Sequence, residues 1–379
     1  MKQQRLRKLR WILFSLTLFT LNPLFARDLI KVQVAAKHPI KRLIISGQGL
    51  KVNNTAIPDQ VIRLDVAGTR LNSSTVACDK ACTVSSKHNK VRLEWSFKQK
   101  RYSRVYTGQV NISPVNNRIQ IVLAIPLETY VANAVLSETG SLLHMLKGKQ
   151  KENLVSAMEV AIRSYIVSQK HRHGAQPYSF CDLTHCVHFQ GGEKRKVHTP
   201  GVVLVSRKNK AITGFFHSSC GGRLSRASGM WQGAVDFYDP PDWDGEKDRE
   251  AYCADSPDAN WQYQFYTKDQ DKIFGAGNTI KDVTYKNNRV SSILLTSGES
   301  VSISRFMSMA GRNFGWSAVK SNYFTIKKNK KGILIKGHGA GHGVGLCQWG
   351  ALQMAKEGKT YRQIIKHYFR GAKLEKLPK

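Results

Sequence analysis

Leu154-Val155-Ser156-Ala157-Met158-Glu159-Val160-Ala161-Ile162-Arg163-Ser164-Tyr165-Ile166 carries apolar side chains at 154, 157, 158, 161, 162, 165 and 166. That is the i, i+3, i+4, i+7 repeat of a helix with one buried face, and it predicts an amphipathic helix over 152–169. Upstream, from Leu29 to about Leu123, the period is two. Val32, Val34 and Ala36 alternate, as do residues 92–96, and Val110, Ile112 and the run 119–123 read as further strands. Asn53-Asn54, Asn72-Ser73-Ser74 and Asn116-Asn117 punctuate them as turns. Strand-like runs return at 200–218 and 282–304. Helical patterns close the chain through Ala351, Met354 and Ala355, and again through Tyr361, Ile364, Ile365 and Tyr368. No internal repeat is visible. Strands and helices are too mixed for a βαβ wind, so the expected class is α+β, as a two-lobed body with a groove.

The first residues read as an export signal. Lys2, Arg5, Arg7, Lys8 and Arg10 precede the uncharged apolar stretch 11–21, Asn22-Pro23 breaks it, and Ala26 is a small residue at a cleavage point. The stretch is too short to span a bilayer comfortably, and an uncleaved anchor is the alternative. The expected location is the periplasm, the cell wall or the medium, with the membrane touched only through this segment. The formal charge is +33, and without residues 1–26 it is +28. Lys147, Lys149 and Lys151, then Lys194, Arg195 and Lys196, then Lys327, Lys328, Lys330 and Lys331 spread that excess along the chain. Such a surface is drawn to anionic polymers. Export argues against nucleic acid and for an anionic wall or outer surface; solvated lysines that keep the protein soluble are the plainer alternative.

Seven cysteines leave at least one thiol unpaired or metal-bound. Cys78 and Cys82 have no imidazole nearby except His88, which favours a disulfide. Cys181 and Cys186 flank His185 and follow His171 and His173, which is the composition of a zinc site; a local disulfide is the alternative. Cys220, in His217-Ser218-Ser219-Cys220-Gly221-Gly222, can pair with Cys253 across a loop containing Trp231, Tyr238 and Trp243, aromatics of the kind that stack on sugar rings. Glu138 follows the apolar segment 131–136 where a polar loop is expected. A carboxyl half-buried there has its pKa raised, as a general acid requires. Arg163, a charge on the apolar helix, needs a carboxylate or a substrate anion as partner, or belongs to a structural ion pair. Glu128 reads as capping or supporting the short helix it opens. The run 337–351 alternates glycines around His338 and His342, a pattern of close backbone approach, and ends in Gln348 and Trp349, an amide and a stacking face suited to carbohydrate. Metal ligation by His338 and His342 finds no acidic partner in sequence.

Together these blocks resemble the SpoIID/LytB family of peptidoglycan-active proteins. Leu127-Glu128-Thr129-Tyr130-Val131 through Ser137-Glu138, the helix segment 157–165, and 342–351 with His367-Tyr368-Phe369 carry the match in the family's order. Cys220-Gly221-Gly222 and the segment from Tyr252 to Trp261 add to it, and the resemblance covers about residues 110–371. With the readings above, three regions are expected: a signal peptide at 1–26, a β-rich region at 27–120 and, from the resemblance, a SpoIID-like catalytic region at 121–379. The resemblance implies a lytic transglycosylase that cuts between N-acetylmuramic acid and N-acetylglucosamine and leaves 1,6-anhydro ends, preferably on glycan strands without stem peptides. Glu138 matches the family's catalytic carboxylate and Arg163 its active-site arginine. His338, His342, Gln348, Trp349 and Tyr368 are the expected substrate contacts. A structural zinc on Cys181, His185, Cys186 and His173 is the expected metal. Met158, Glu159, Thr139-Gly140 after the acid, and Phe369 depart from the family pattern. Two other classes accompany this reading: a non-catalytic amidase enhancer, with a cell-wall amidase as partner, and a zinc-dependent wall amidase or deacetylase.

Overall fold

The computed structural model describes residues 29–206, 210–231 and 233–377. The export segment expected at 1–26 lies outside them. The period-two region forms two sheets. One orders its strands Phe180–Cys181, Leu29–Val34, Arg118–Pro126, Gln109–Val115, Cys82–Ser85, Lys51–Val52 and Thr55–Ala56. The other orders them Arg70–Asn72, Val61–Ala67, Arg42–Ser46, Lys90–Phe97 and Lys100–Thr107. Alternate side chains such as Val32, Val34, Leu43, Ile45, Leu93 and Trp95 enter one shared core. Cys78 and Cys82 form the expected disulfide. Asn53-Asn54 and Asn116-Asn117 are two-residue turns with both residues left-handed, which asparagine tolerates and tight hairpins require.

Among the described residues seven helices follow: α1 (Leu127–Leu143), α2 (Gly148–Ser168), α3 (Ala227–Met230), α4 (Thr267–Phe274), α5 (Ile303–Phe314), α6 (Gln348–Lys356) and α7 (Tyr361–Tyr368). The protein is α+β. The polar loop expected at Glu138 is instead the last part of α1. Ser137 and Thr139 are poor helix formers because their hydroxyls compete for backbone. Here those hydroxyls bond back to the carbonyls of Asn133 and Val135, at 3.0 and 2.6 Å, and so stay within the helix. α2 is buried from Leu154 to Ile166 except for half-buried Val155, so it has a wider buried surface than the one face its repeat predicts. α1, α6 and α7 pack around it. The run 282–304, read as strand, ends in α5. Its apolar residues Ile303, Phe306, Ala310 and Phe314 follow the helical repeat, and Ser302 caps its first turn.

Residues 261–337 form a smaller lobe with its own core around Phe265, Ile293, Phe306 and Ile335. Its first and last strands, Trp261–Tyr266 and Gly332–Gly337, pair antiparallel, with Trp261 opposite Gly337. From this lobe the buried Arg289 reaches into the main body and donates through Nη2 to the carbonyls of Cys220 and Arg223, at 2.7 and 2.6 Å. Gly343 and Gly345, both at positive φ, pass against Arg289 and the Phe215 carbonyl so closely that a Cβ on either would collide. The alternating glycines therefore serve backbone approach, as their pattern predicts.

The hairpin of Lys90–Phe97 and Lys100–Thr107 turns on Lys98 and Gln99, both left-handed without being glycine or asparagine. Replacing Lys98→Asn and Gln99→Gly together should stabilise the protein by about 1 kcal/mol, read as a raised midpoint in thermal unfolding.

Candidate active site

Glu138 sits on α1 at one wall of a cleft of about 650 Å³. Tyr165, Gln169 and Arg172 border it from α2 and the turn that follows. Phe215, His217 and Trp231 form an aromatic side, and His342 and Gln348 come from the glycine-rich segment. Among the described residues that line the cleft, Glu138 is the only carboxyl. The backbone N–H of His188 donates to its Oε1 at 2.6 Å, and the Gln348 amide also donates to it. These two bonds favour the ionised form, but removal from water outweighs them and pushes the carboxyl up to about 7.

His217 and His342 are held in the neutral form by burial. Burial and the nearby Arg289 charge hold His342 down to about 4. Burial, with His342 and Arg289 nearby, holds His217 well below its ordinary value. The carbonyl of Val344 can only accept, so His217 Nδ1, 3.1 Å away, carries the proton. His217 Nε2 is then a bare acceptor, buried and without a partner among the described residues. His342 bonds backbone groups: Nδ1 accepts from Val344 N–H at 3.0 Å, and the ring also bonds the backbone of Phe216.

His173, Cys181, His185 and Cys186 converge beside the cleft, their donor atoms all within 4.8 Å of one another. His173 Nε2 lies 3.2 Å from Cys186 Sγ, His185 Nε2 lies 3.3 Å from Cys181 Sγ, and the two sulfurs are 3.5 Å apart and unbonded. Metal–ligand distances of about 2.0–2.3 Å around a tetrahedral zinc give donor separations close to these. The loop is anchored independently. Phe180–Cys181 pairs with Val32 and Gln33, and buried Asp182 accepts from the N–H groups of Ala35 and Ala36. Thr184, His185 and Cys186 line the cleft, and His188 on the same loop holds Glu138. The loop's geometry therefore sets the carboxyl's position.

Four expected site residues lie elsewhere. Arg163 makes no contact with Glu138. It is fully buried, its Nε and Nη2 donate to the two oxygens of Glu128 at 2.9 and 2.5 Å, and its Nη1 donates to the carbonyls of Glu159 and Val202. It is a structural ion pair that ties α2 to α1, because a charge on a buried helix face must find its counter-charge inside. Tyr368 is fully buried beside Asp244 and Gly350 and has no face for a substrate. His338 is exposed outside the cleft, within hydrogen-bond distance of Asn260. Trp349 packs half-buried against the main core. The structure adds Tyr165, Gln169, Arg172, Phe215 and His217 to the cleft. Of these only His217 carried a visible signal, standing next to the Cys-Gly-Gly segment.

Residues 115–213 match the family model described as SpoIID, Stage II sporulation protein. Stage II sporulation protein D of Bacillus subtilis (strain 168) is 25% identical over 294 residues, 70% of this chain and 79% of that protein. An uncharacterised protein of Brachyspira hyodysenteriae is 28% identical over 279 residues, 70% of this chain and 71% of that one. The Amidase enhancer of Bacillus subtilis (strain 168) is 42% identical over 60 residues, which are 16% of this chain and 8% of that protein. These matches support membership of the SpoIID family.

Replacing Glu128→Gln should destabilise the protein by roughly 3–5 kcal/mol, the cost of stranding a buried charge. Urea unfolding measures it, and the loss should appear whether or not substrate is present.

Proposed function

We propose that the protein is a lytic transglycosylase of peptidoglycan. The observation that carries this reading is the lone cleft carboxyl, Glu138, poised near neutrality. Hydrolytic glycosidases use two carboxyls placed about 5–9.5 Å apart. A lytic enzyme needs one, because it is acid first and base second. Protonated Glu138 donates to the oxygen between N-acetylmuramic acid and N-acetylglucosamine, and that bond breaks. The carboxylate left behind takes the proton of the muramic C6 hydroxyl, whose oxygen closes on C1 as the 1,6-anhydro ring. His217 Nε2 is an acceptor for a substrate N–H, and Phe215 and Trp231 offer stacking faces. Arg172, an exposed cation at the cleft, can pair with the lactyl carboxylate that becomes free when the stem peptide is removed. The lysine clusters at 147–151, 194–196 and 327–331 are exposed and hold an anionic strand in a salt-dependent way. Export, expected from residues 1–26, places the protein with its substrate.

His173, Cys181, His185 and Cys186 would hold the zinc. Bound there it supplies a fixed cross-link of the loop that carries His188. Four protein donors fill a tetrahedral shell and leave no position for a hydrolytic water, which argues against a zinc amidase or deacetylase. The 60-residue likeness to a protein named Amidase enhancer supports a second reading, a wall-binding partner of an amidase with no chemistry of its own.

Purified sacculi and peptide-stripped glycans, digested and weighed by mass spectrometry, separate these readings. Wild type should release anhydro-muramyl products and Glu138→Gln should release none; undiminished release from the variant would sink the assignment, and no product from wild type would favour the enhancer. Because the acid must hold its proton, the rate should fall as pH rises through about 7. Arg172→Ala should raise KM on stripped glycans more than on peptide-bearing ones.

The same raised carboxyl has a stability cost. Its folded value lies above its ordinary 4.5, so the stabilising proton is bound in acid and lost as pH rises through about 7. Glu138→Gln should therefore melt higher than wild type at pH 8, by up to roughly 3 kcal/mol, and no higher at pH 4, as scanning calorimetry can test.

A further inference from the structure

Behind the cleft, four side chains that the proposed reaction does not use meet in the core. Cys220, Asp244 and Cys347 are fully buried and Cys253 is 1% exposed. Their sulfur and carboxylate atoms all lie within 4.8 Å of one another. Cys220 Sγ is 3.0 Å from Asp244 Oδ2 and 3.4 Å from Cys253 Sγ. All three cysteines are free, so the Cys220–Cys253 pairing that the sequence allows is not formed.

Two features set this cluster apart from ordinary packing. The first is hydrogen bonding to sulfur. Cys347 Sγ accepts from the N–H groups of Cys220 and Gly350, at 3.3 and 3.4 Å, and Cys253 Sγ accepts from Gly222 N–H at 3.3 Å. Backbone donors aimed at sulfur favour thiolate, the form that binds metal. The second is the carboxylate. Asp244 is sealed among three sulfurs with no lysine or arginine bonded to it among the described residues, and its other oxygen meets His367 Nε2 at 3.2 Å. A buried carboxylate needs a compensating positive charge, and a carboxylate that ligates a metal is commonly oriented by such an outer partner.

We propose that Cys220, Asp244, Cys253 and Cys347 form a second metal site, of one-ion tetrahedral S3O type and suited to zinc. Zinc–sulfur bonds of about 2.3 Å and zinc–oxygen bonds of about 2.0–2.2 Å place donors about 3.4–3.8 Å apart. The observed 3.0 and 3.4 Å need only a small expansion, and they leave no room for a polynuclear cluster. Three thiolates and a carboxylate outweigh a dication, and the buried Arg289 guanidinium, bonded to the Cys220 carbonyl, stands beside the excess. All four ligands come from the chain, so the ion is structural. Its position gives it a task. Phe216–His217 pairs with Leu346–Cys347, and Cys347 is followed by Gln348, whose amide donates to Glu138. Asp244 and Cys253 add a loop more than twenty residues distant in sequence from either strand. One ion thus fastens the cleft's inner wall from behind.

Elemental analysis of the purified full-length protein counts the ions. Wild type should carry two zinc per chain. Cys181→Ser with Cys186→Ser should carry one, and Cys347→Ser and Asp244→Asn should each lose the other. A non-reducing peptide map should show Cys78–Cys82 as the disulfide and Cys220, Cys253 and Cys347 as alkylatable after chelation. One zinc in wild type and none after Cys181→Ser with Cys186→Ser would overturn the proposal, as would a Cys220–Cys253 disulfide in the map. One zinc in wild type that survives those two substitutions would instead support this site and remove the zinc beside the cleft. Should the Cys347 and Asp244 variants not fold, cobalt loading of the Cys181→Ser, Cys186→Ser protein decides: a thiolate-to-cobalt absorption band supports the site, and its absence overturns it.

Discussion

The Arg163–Glu128 ion pair is the constraint on which the site's geometry rests. Glu128 opens α1 and Glu138 lies ten residues further along it, about 15 Å along the axis. Arg163 grips both oxygens of Glu128 from inside α2, so the rotation of α1 about its own axis is not free. Fixing that rotation aims Glu138 into the cleft. The guanidinium also holds the Val202 carbonyl, and Glu128 accepts from Gly201 N–H, so the strand behind is in the same register. Glu159, one turn earlier on α2 and fully buried, accepts from the backbone N–H groups of His198 and Thr199. The glutamate that departs from the family pattern is therefore a backbone anchor. A helix that carries two buried charges is costly unless every donor and acceptor is met, and here the partners are brought in from three segments.

The carboxyl is then tuned from the other side. Its donors, His188 N–H and the Gln348 amide, come from two segments that the fold fastens separately, by the loop of Cys181 to Cys186 and by the pairing of Phe216–His217 with Leu346–Cys347. Neutral histidines opposite it add no charge to compete for the proton. The acid's proton affinity is thus a property of how closely three elements shut out water, more than of any one neighbour.

Much of this was legible in the residues. The repeat in 154–166 gave α2, the Asn-Asn pairs gave two hairpins, and His173, Cys181, His185 and Cys186 come together as their composition suggested. What was not legible depends on partners far away in sequence. Arg163 finds Glu128 thirty-five residues upstream, and no local pattern distinguishes that from a bond to Glu138 ten residues further on. Tyr368 and Trp349 belong to a motif, but a motif does not say which side of a wall its aromatics face; burial decided both. A loop is expected at Glu138 because the apolar segment 131–136 ends in polar residues there, a local signal that the hydroxyl bonds and the packing of α1 on α2 override.

The small lobe enters and leaves the main body through a single strand pair, Trp261 opposite Gly337. To the host chain, those intervening residues are equivalent to a short turn: the ends are already together, so the length between them costs almost no closure entropy. Such a lobe can be lengthened, shortened or exchanged without re-threading anything else. That freedom is limited by the ties across to the main body: the Arg289 guanidinium is the bolt between the two cores, Lys320 pairs with Asp258 and its carbonyl accepts from Gly341 N–H, and any replacement lobe must bring its own.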